Sequence, residues 1–304
     1  MIQVVLRRVL RTIPVLLAVS ALIFISIRLI PGDPALLLAG DRATGEAIEQ
    51  IRKDLGLNRP ITAQYAIFLR RALAGDLGVS IRTGQPVLAE LMHRYPLTLL
   101  LAAAAMLFSV AVGLPLGILA ALHRGSWIDK TSVIVALLGV SAPTFLVGIV
   151  LQLYLAVSLG WLPVTGATTW QHVLLPAVSL GVFPIANITR LLRASLVETL
   201  GEDYVRTARA KGLPEALVIL RHALKPALIP AVTIIGLQFG SMLGASVFAE
   251  AVFAWPGLGR YLVQAIGYRD YPVVQGAVLV FALTYVAANA AVDVLYGWLD
   301  PRIR

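Results

Sequence analysis

Cysteine is absent from all 304 residues, and charge is scarce, with Asp, Glu, Lys and Arg making up 13% of a chain that is 59% hydrophobic. The first absence excludes disulfides, thiol catalysis and cysteine-ligated metals. The second sets the class. Soluble domains carry roughly a quarter charged residues, whereas this chain has a mean hydropathy of +0.85 and reads as a membrane protein. His93, His123, His172 and His222 are scattered, with no pair at metal-ligand spacing, and each reads as a loop or interfacial residue. There is no Gly-Lys dipeptide, hence no G-x-x-x-x-G-K-[ST] loop to cradle phosphates, and neither H-E-x-x-H nor G-x-S-x-G occurs. Energy from ATP, if used, must come from another chain. The net charge of +9 is no nucleic-acid footprint, because the cations flank apolar runs instead of interleaving with exposed aromatics.

What the chain does have is long apolar runs. About 20 apolar residues cross a bilayer, and six runs qualify, at roughly 10–30, 97–122, 132–158, 173–196, 227–249 and 275–298. Pro176 and Pro184 interrupt the fourth, which reads as a kinked helix whose freed carbonyl is re-satisfied inside a bundle. Arg7, Arg8 and Arg11 precede the first run as in a signal peptide, but the run is too long for an h-region and continues into "IRLIPGDP" without an A-x-A site. It reads as an uncleaved anchor. Six spans put both termini on one side. The short segments there carry Arg124, Lys130, the cations between 190 and 225, Arg302 and Arg304, while 159–172 carries no charge. The positive-inside rule therefore predicts cytoplasmic termini. Segment 31–96 falls outside despite its eight Lys or Arg, since loops beyond about 60 residues translocate largely regardless of charge.

That segment reads as ordered. "ITAQYAIFLRRALAG" places Ile61, Tyr65, Phe68, Leu69 and Leu73 near helical spacing with Gly75 as the stop, and "GDLGVSIRTGQPV" is turn-rich. It serves either as a packing cap or as a docking surface for an external partner.

A basic stretch, "DYVRTARAKGLPEALVILRHALKPALIP" from 203 to 230, interrupts the apolar chain with Arg206, Arg209, Lys211, Arg221 and Lys225. Gly212 and Pro214 match the glycine that ends a helix and the proline that begins one, predicting helix, tight turn, short helix. Leu213, Leu217, Leu220 and Leu224 would form an apolar ridge on the second helix, flanked by Arg221, His222 and Lys225. Such a ridge fits either a groove in a partner or the headgroup layer, with its cations on anionic lipid. Acidic groups in or beside spans are few: Glu250 at an outer end and Asp293, near Asn289, in the last run. A charge in hydrocarbon is costly and usually functional, so Asp293 is a structural hydrogen-bonding group or a gating group.

The same stretch resembles the coupling segment of ABC importer permeases. Aligned on Gly212, only Ala208, Gly212 and Leu224 agree with the general pattern of EAA, three residues, Gly, nine residues, I-x-L-P. The variant "DYVRTARAKG…RHALKPALIP" resembles the peptide and nickel branch instead. "LGLNRPITAQY", "GDLGVSIRTGQPV", "LGVSAPTF", "GWLPVTG", "VFAWPGLGRYLVQAIGYRDYPVVQG" and "LYGWLDPRIR" are similar to that branch in the same order. The resemblance implies an all-α integral membrane fold: six transmembrane helices of type I importer permease architecture, with an ordered external segment between the first two. It divides the chain into an N-terminal helix plus external segment at 1–95 and a transmembrane domain at 96–304, with a coupling segment at 201–225.

The implied partners are a second permease, two cytoplasmic ATPase subunits that hold ATP and Mg, an external substrate-binding protein and membrane lipid. No cofactor on this chain and no nucleic acid are expected, and the location is a bacterial or archaeal plasma membrane. By the same resemblance, ATPase contact falls to Asp203, Tyr204, Arg206, Ala208, Arg209, Lys211, Gly212, Leu213, Pro214, Glu215 and Leu217. The binding protein would dock on 31–96 and the Trp255 to Tyr271 connector, whose "AWPGLGRYL" reads as a re-entrant or interfacial loop. Cargo would be di- or oligopeptides, glutathione-like peptides or nickel chelates. Neutral hydrogen-bonding side chains make Gln152, Asn187, Gln238, Ser241 and Asn289, with Asp293, candidates for the translocation path. Outside the resemblance, a secondary transporter or channel, or a membrane enzyme, stands as the rival reading.

Overall fold

In lipid a backbone must satisfy its own polar groups, which drives apolar runs into helices. The computed structural model describes residues 2–29, 35–36, 44–54 and 56–299, and among them helix is nearly the only regular structure, with one isolated bridge between Val79 and Pro86. The helices are α1 (Ile2–Leu29), α2 (Gly45–Asp54), α3 (Ile61–Leu73), α4 (Val87–Leu122), α5 (Trp127–Ser141), α6 (Thr144–Ser158), α7 (Leu174–Leu200), α8 (Asp203–Ala210), α9 (Glu215–Val252), α10 (Leu258–Gly267) and α11 (Tyr271–Leu299). Five of these stretches are long and apolar enough to cross a membrane, and α5 with α6 makes a sixth if that bent pair counts as one span.

The third run is where the structure departs most from a continuous span over 132–158. It breaks into α5 and α6, bent by 104°. The cause is Pro143. A proline disfavours helical backbone at the preceding residue, and Ala142 is extended at φ −83°, ψ 121° before α6 restarts. Pro176, by contrast, lies in the first turn of α7, where the missing N–H has no intrahelical partner anyway. The fifth run begins earlier than 227, as the foot of a helix that starts at Glu215. "AWPGLGRYL" is helical from Leu258 onward instead of a loop.

The chain divides into two compact units. The first comprises residues 1–98 and 256–286, with a core of Ile27, Val87, Leu91, Leu258, Val273, Val274 and Ala277. Gly75, at φ +79°, ends α3 as its position predicts. Asp270 closes the turn that follows. Its carboxylate, 3% exposed, accepts hydrogen bonds from the Ser80 hydroxyl (2.5 Å), the Ile81 amide (3.2 Å) and the Arg82 amide (3.3 Å). The Arg82 guanidinium stacks 3.7 Å above the Tyr268 ring. Nearby, the Leu258 amide donates to Thr98 Oγ1 at 2.8 Å, fixing the start of α10.

The second unit comprises residues 99–255 and 287–304. Its central helix is α7, which buries Leu180, Ile188, Leu192 and Leu196 and packs against α5, α6 and α9. Small residues let α4 and α7 approach closely, as in membrane helix pairs generally. A Cβ on Gly181 would meet Ser109 Oγ at 2.9 Å, and that hydroxyl donates to the Gly181 carbonyl at 3.0 Å.

Replacing Asp270 by Ala strips a partner from one buried hydroxyl and two amides, at a cost of about 3 kcal/mol. Trypsin should then cut at Arg82 in Asp270→Ala at concentrations that spare the parent; equal resistance of the two proteins would show that the carboxylate does not hold the turn.

Candidate functional site

Only two side chains of α8 point inward. Val205 is 0% and Ala208 5% exposed, and they join Ala121, Leu192, Leu196, Val218, Ala223 and Ala227 in one buried cluster. Their three-residue spacing puts both on one stripe of the helix. Complete burial of a valine side chain stabilises by about 2 kcal/mol, so α8 is seated on the end of α7 and the foot of α9 rather than hanging free. The rest of it faces outward: Asp203, Tyr204, Arg206 and Arg209 are exposed, as are Lys211, Gly212, Pro214 and Glu215 beyond it. Ala208 therefore belongs to the seat and not to the exposed surface. Leu213 is half-buried against the same cluster.

The turn after α8 is built as its residues require. Gly212 adopts φ +77°, a left-handed conformation that glycine takes without a Cβ penalty, and its amide donates to the Arg209 carbonyl at 2.9 Å. Across the turn, Arg209 grips the Glu215 carboxylate with two donors, Nη2 at 2.7 Å from Oε1 and Nε at 3.0 Å from Oε2. That hydrogen bonding raises the Arg209 pKa further above its ordinary value. Both partners are exposed, so the pair sets geometry more than stability. The Asp203–Arg206 contact, at 3.4 Å and more exposed still, adds less.

Beyond Pro214 the expected short helix is instead the foot of α9, and the leucine ridge does not form. Leu217 is 37% and Leu220 65% exposed, while Val218, Ala223 and Ala227 are buried. Residues Val218–Ala223 form a π-helical turn. Its i to i+5 hydrogen bonds space the buried Val218 and Ala223 five residues apart and leave Leu220 outside, while Leu213 and Leu224 pack against the cluster.

Behind the seat lies an ion pair that sequence reasoning missed. Asp129, 5% exposed, receives the Gly125 amide at 2.9 Å and Arg193 Nη2 at 2.7 Å, with Arg193 Nε on its other oxygen. Arg193 neighbours Leu192, so the pair ties the start of α5 to the part of α7 that carries α8. A local signal existed, because Ser126 and Asp129 have helix-capping spacing and the Ser126 side chain accepts from the Asp129 amide. Nothing local indicated Arg193 as the partner, 64 residues away.

Among the described side chains, the candidate path residues do not converge in one hydrogen-bonded group. Gln152 Nε2 donates to the Val164 carbonyl at 2.9 Å. Asn187 Nδ2 donates to the Phe183 carbonyl, and its Oδ1 accepts from Arg190 at 3.1 Å. Gln238 is buried and accepts from Ser241 Oγ at 3.0 Å. The Asn289 Oδ1 is buried with no hydrogen-bond partner among the described residues. Asp293 lies on α11, and its side chain falls outside what is described. Among the described residues no three His, Cys, Asp or Glu are grouped to hold a metal.

Residues 113–304 match the family described as binding-protein-dependent transport system inner membrane component, and residues 1–102 match its N-terminal family. The glutathione transport system permease protein GsiC of Escherichia coli (strain K12) is 45% identical over 304 residues, covering 100% of this chain and 99% of that protein. GsiC of Salmonella choleraesuis is likewise 45% identical over the same lengths. Among solved structures, the inward-facing methionine ABC transporter MetNI shares the fold, with a TM-score of 0.57 at 23% identity over 69% of this chain and 96% of that one. An amino acid ABC transporter with histidines superposes at a TM-score of 0.50 and 17% identity, over 70% and 94%.

Removing Arg193, itself 27% exposed, strands the buried Asp129 carboxylate. Arg193→Ala should lower stability by about 1 to 3 kcal/mol, whereas Asp129→Asn combined with Arg193→Gln should cost less than Arg193→Ala alone. Thermal unfolding in detergent reads both, and a single variant no less stable than the double would contradict the clamp.

Proposed function

Since the chain belongs to the binding-protein-dependent transport system inner membrane component family, and so is the permease subunit of an ABC importer, we propose that α8 and the Gly212 turn are where separate ATPase subunits act upon it. The observation that carries this reading is the seat of Val205 and Ala208. A short helix fixed by its apolar stripe to two long helices, with its polar surface left outside, transmits a push as a rigid body. Closure of the ATPases on ATP would move α8, and with it the ends of α7 and α9. ATP and Mg would reside on those subunits, with no cofactor on this chain. A second, similar permease would complete the path and an external binding protein would deliver the solute. The termini would lie in the cytoplasm of a bacterial or archaeal cell, by the charge asymmetry of the short segments.

The solute we propose is glutathione or another short peptide, supported by relatives named for glutathione transport at 45% identity over their whole length. Gln238, Ser241 and Asn289 would offer neutral hydrogen bonds along the path, with Gln152, Asn187 and Asp293 in supporting positions. Uptake of labelled glutathione into vesicles carrying the assembled importer tests this, with a dipeptide and a nickel chelate as competitors. Glutathione uptake that continues without the ATPases would favour a secondary transporter or channel.

Among the described residues no neighbour lies within 4 Å of where a Cβ on Gly212 would be, so Gly212→Val strains the turn without a clash, by about 1–2 kcal/mol for the left-handed backbone. Assembly and ATP hydrolysis should survive while the solute imported per ATP falls. An unchanged ratio in reconstituted vesicles would overturn the coupling role of the turn.

A further inference from the structure

A cavity of about 470 Å³ opens within the first unit, bounded by the end of α1, by α3 and by the start of α11. Its size falls in the range of small-ligand sites, roughly 300–1,000 Å³. Four cations line it, Arg28, Lys53, Arg59 and Arg71, against one carboxylate, Asp76. Among the described residues none of the four is in an ion pair. Asp76 is occupied locally, accepting the Gly78 amide at 2.8 Å. Arg28 is held in place by its Nε donating to Gln64 Oε1 at 3.0 Å and its Nη1 to the Phe24 carbonyl at 3.1 Å, with its guanidinium 3.4 Å above the Phe24 ring.

A second and independent feature points to a ligand. Gln275 also lines the cavity, is 5% exposed, and its Nε2 has no hydrogen-bond partner among the described residues. A buried amide donor without an acceptor is rare in folded proteins, and here it sits among cations that form no ion pair with the described residues. Any acceptor would satisfy that amide, and the surrounding cations favour an anionic one.

Its source follows from depth and from the apolar walls. Arg28 stands on the last turn of the apolar run Thr12–Leu29, and Tyr271 opens the run Tyr271–Val292, so the cavity lies where two spans reach the membrane surface. Phe24, Ile67 and Phe68 line it beside the cations. Cations above an apolar wall at headgroup depth match a phosphodiester with its acyl chains attached. We propose that this cavity binds the headgroup of an anionic phospholipid, with Gln275 and Arg28 holding phosphate oxygens and Arg71 adding charge at the mouth. The inference stands on these residues and not on the importer reading.

Thermal unfolding of the purified full chain tests it, with dihexanoyl phosphatidylglycerol, dihexanoyl phosphatidylcholine and inorganic phosphate as separate probes. Phosphatidylglycerol should raise the unfolding temperature saturably, and the other two should not at equal concentration. Arg71→Gln, at an exposed position, and Gln275→Leu, which removes the orphaned donor, should each weaken half-saturation by about tenfold, the loss expected for one charge-assisted hydrogen bond. Without lipid, Gln275→Leu should be at least as stable as the parent. Equal shifts with phosphatidylcholine would overturn the anionic headgroup, and equal shifts with phosphate alone would overturn the lipid. Variants that respond to phosphatidylglycerol as the parent does would overturn the site.

Discussion

The seating of Val205 and Ala208 against Leu192, Leu196 and Val218 is the contact on which the proposed coupling role of α8 depends. It is small in area, yet it converts a basic, exposed segment into an extension of two long helices. Without that stripe, the eight residues of α8 would be too short to hold a helix in water, because isolated helices below about 12 residues are marginal. Packing, not propensity, makes α8, and the same packing gives its polar surface something rigid to push on.

The polar residues around this seat share one logic. Asp129 and Arg193 are paired where they leave water, and Arg209 and Glu215 clasp the turn where water is plentiful. Asp270 does for the first unit what Asp129 does for the second, gathering donors from a loop that would otherwise be unpinned. The two buried carboxylates, Asp129 and Asp270, offset the cost of burial by accepting several hydrogen bonds each. The cavity beside Arg28 is the exception: among the described residues its cations form no ion pair and the Gln275 amide has no acceptor, which is the basis of the proposed lipid site.

Much of this was legible from residues alone. The apolar runs, the α3 helix with its Gly75 stop and the left-handed Gly212 turn all follow from local rules, and they are present. What escaped was nonlocal or conditional. Pro143 broke a span where Pro184 did not: α7 runs through Pro184 buried among its neighbours, whereas Ala142 turned extended, and the sequence alone does not say which proline will be accommodated. The leucine ridge regular in the sequence is split, with Leu217 and Leu220 exposed and Leu213 and Leu224 packed inward, and the π turn at Val218–Ala223 breaks its spacing. Asp129 found Arg193 across 64 positions and Asp270 found Ser80 across 190, distances at which no motif speaks. The polar path candidates were chosen by chemistry without orientation, and several turned out to spend their hydrogen bonds on nearby backbone.

Because the chain has no cysteine, a single introduced thiol reports on one position alone. The most direct measurement of the central claim is disulfide cross-linking of the assembled importer, with Tyr204→Cys and Val205→Cys compared against a cysteine on the facing surface of the ATPase. Tyr204 is 47% exposed and Val205 fully buried, so the first should cross-link, at a yield that changes with ATP, and the second should not. No cross-link from Tyr204→Cys, or equal yields from both, would contradict the account of α8 as a seated helix that meets the ATPase with its outer face.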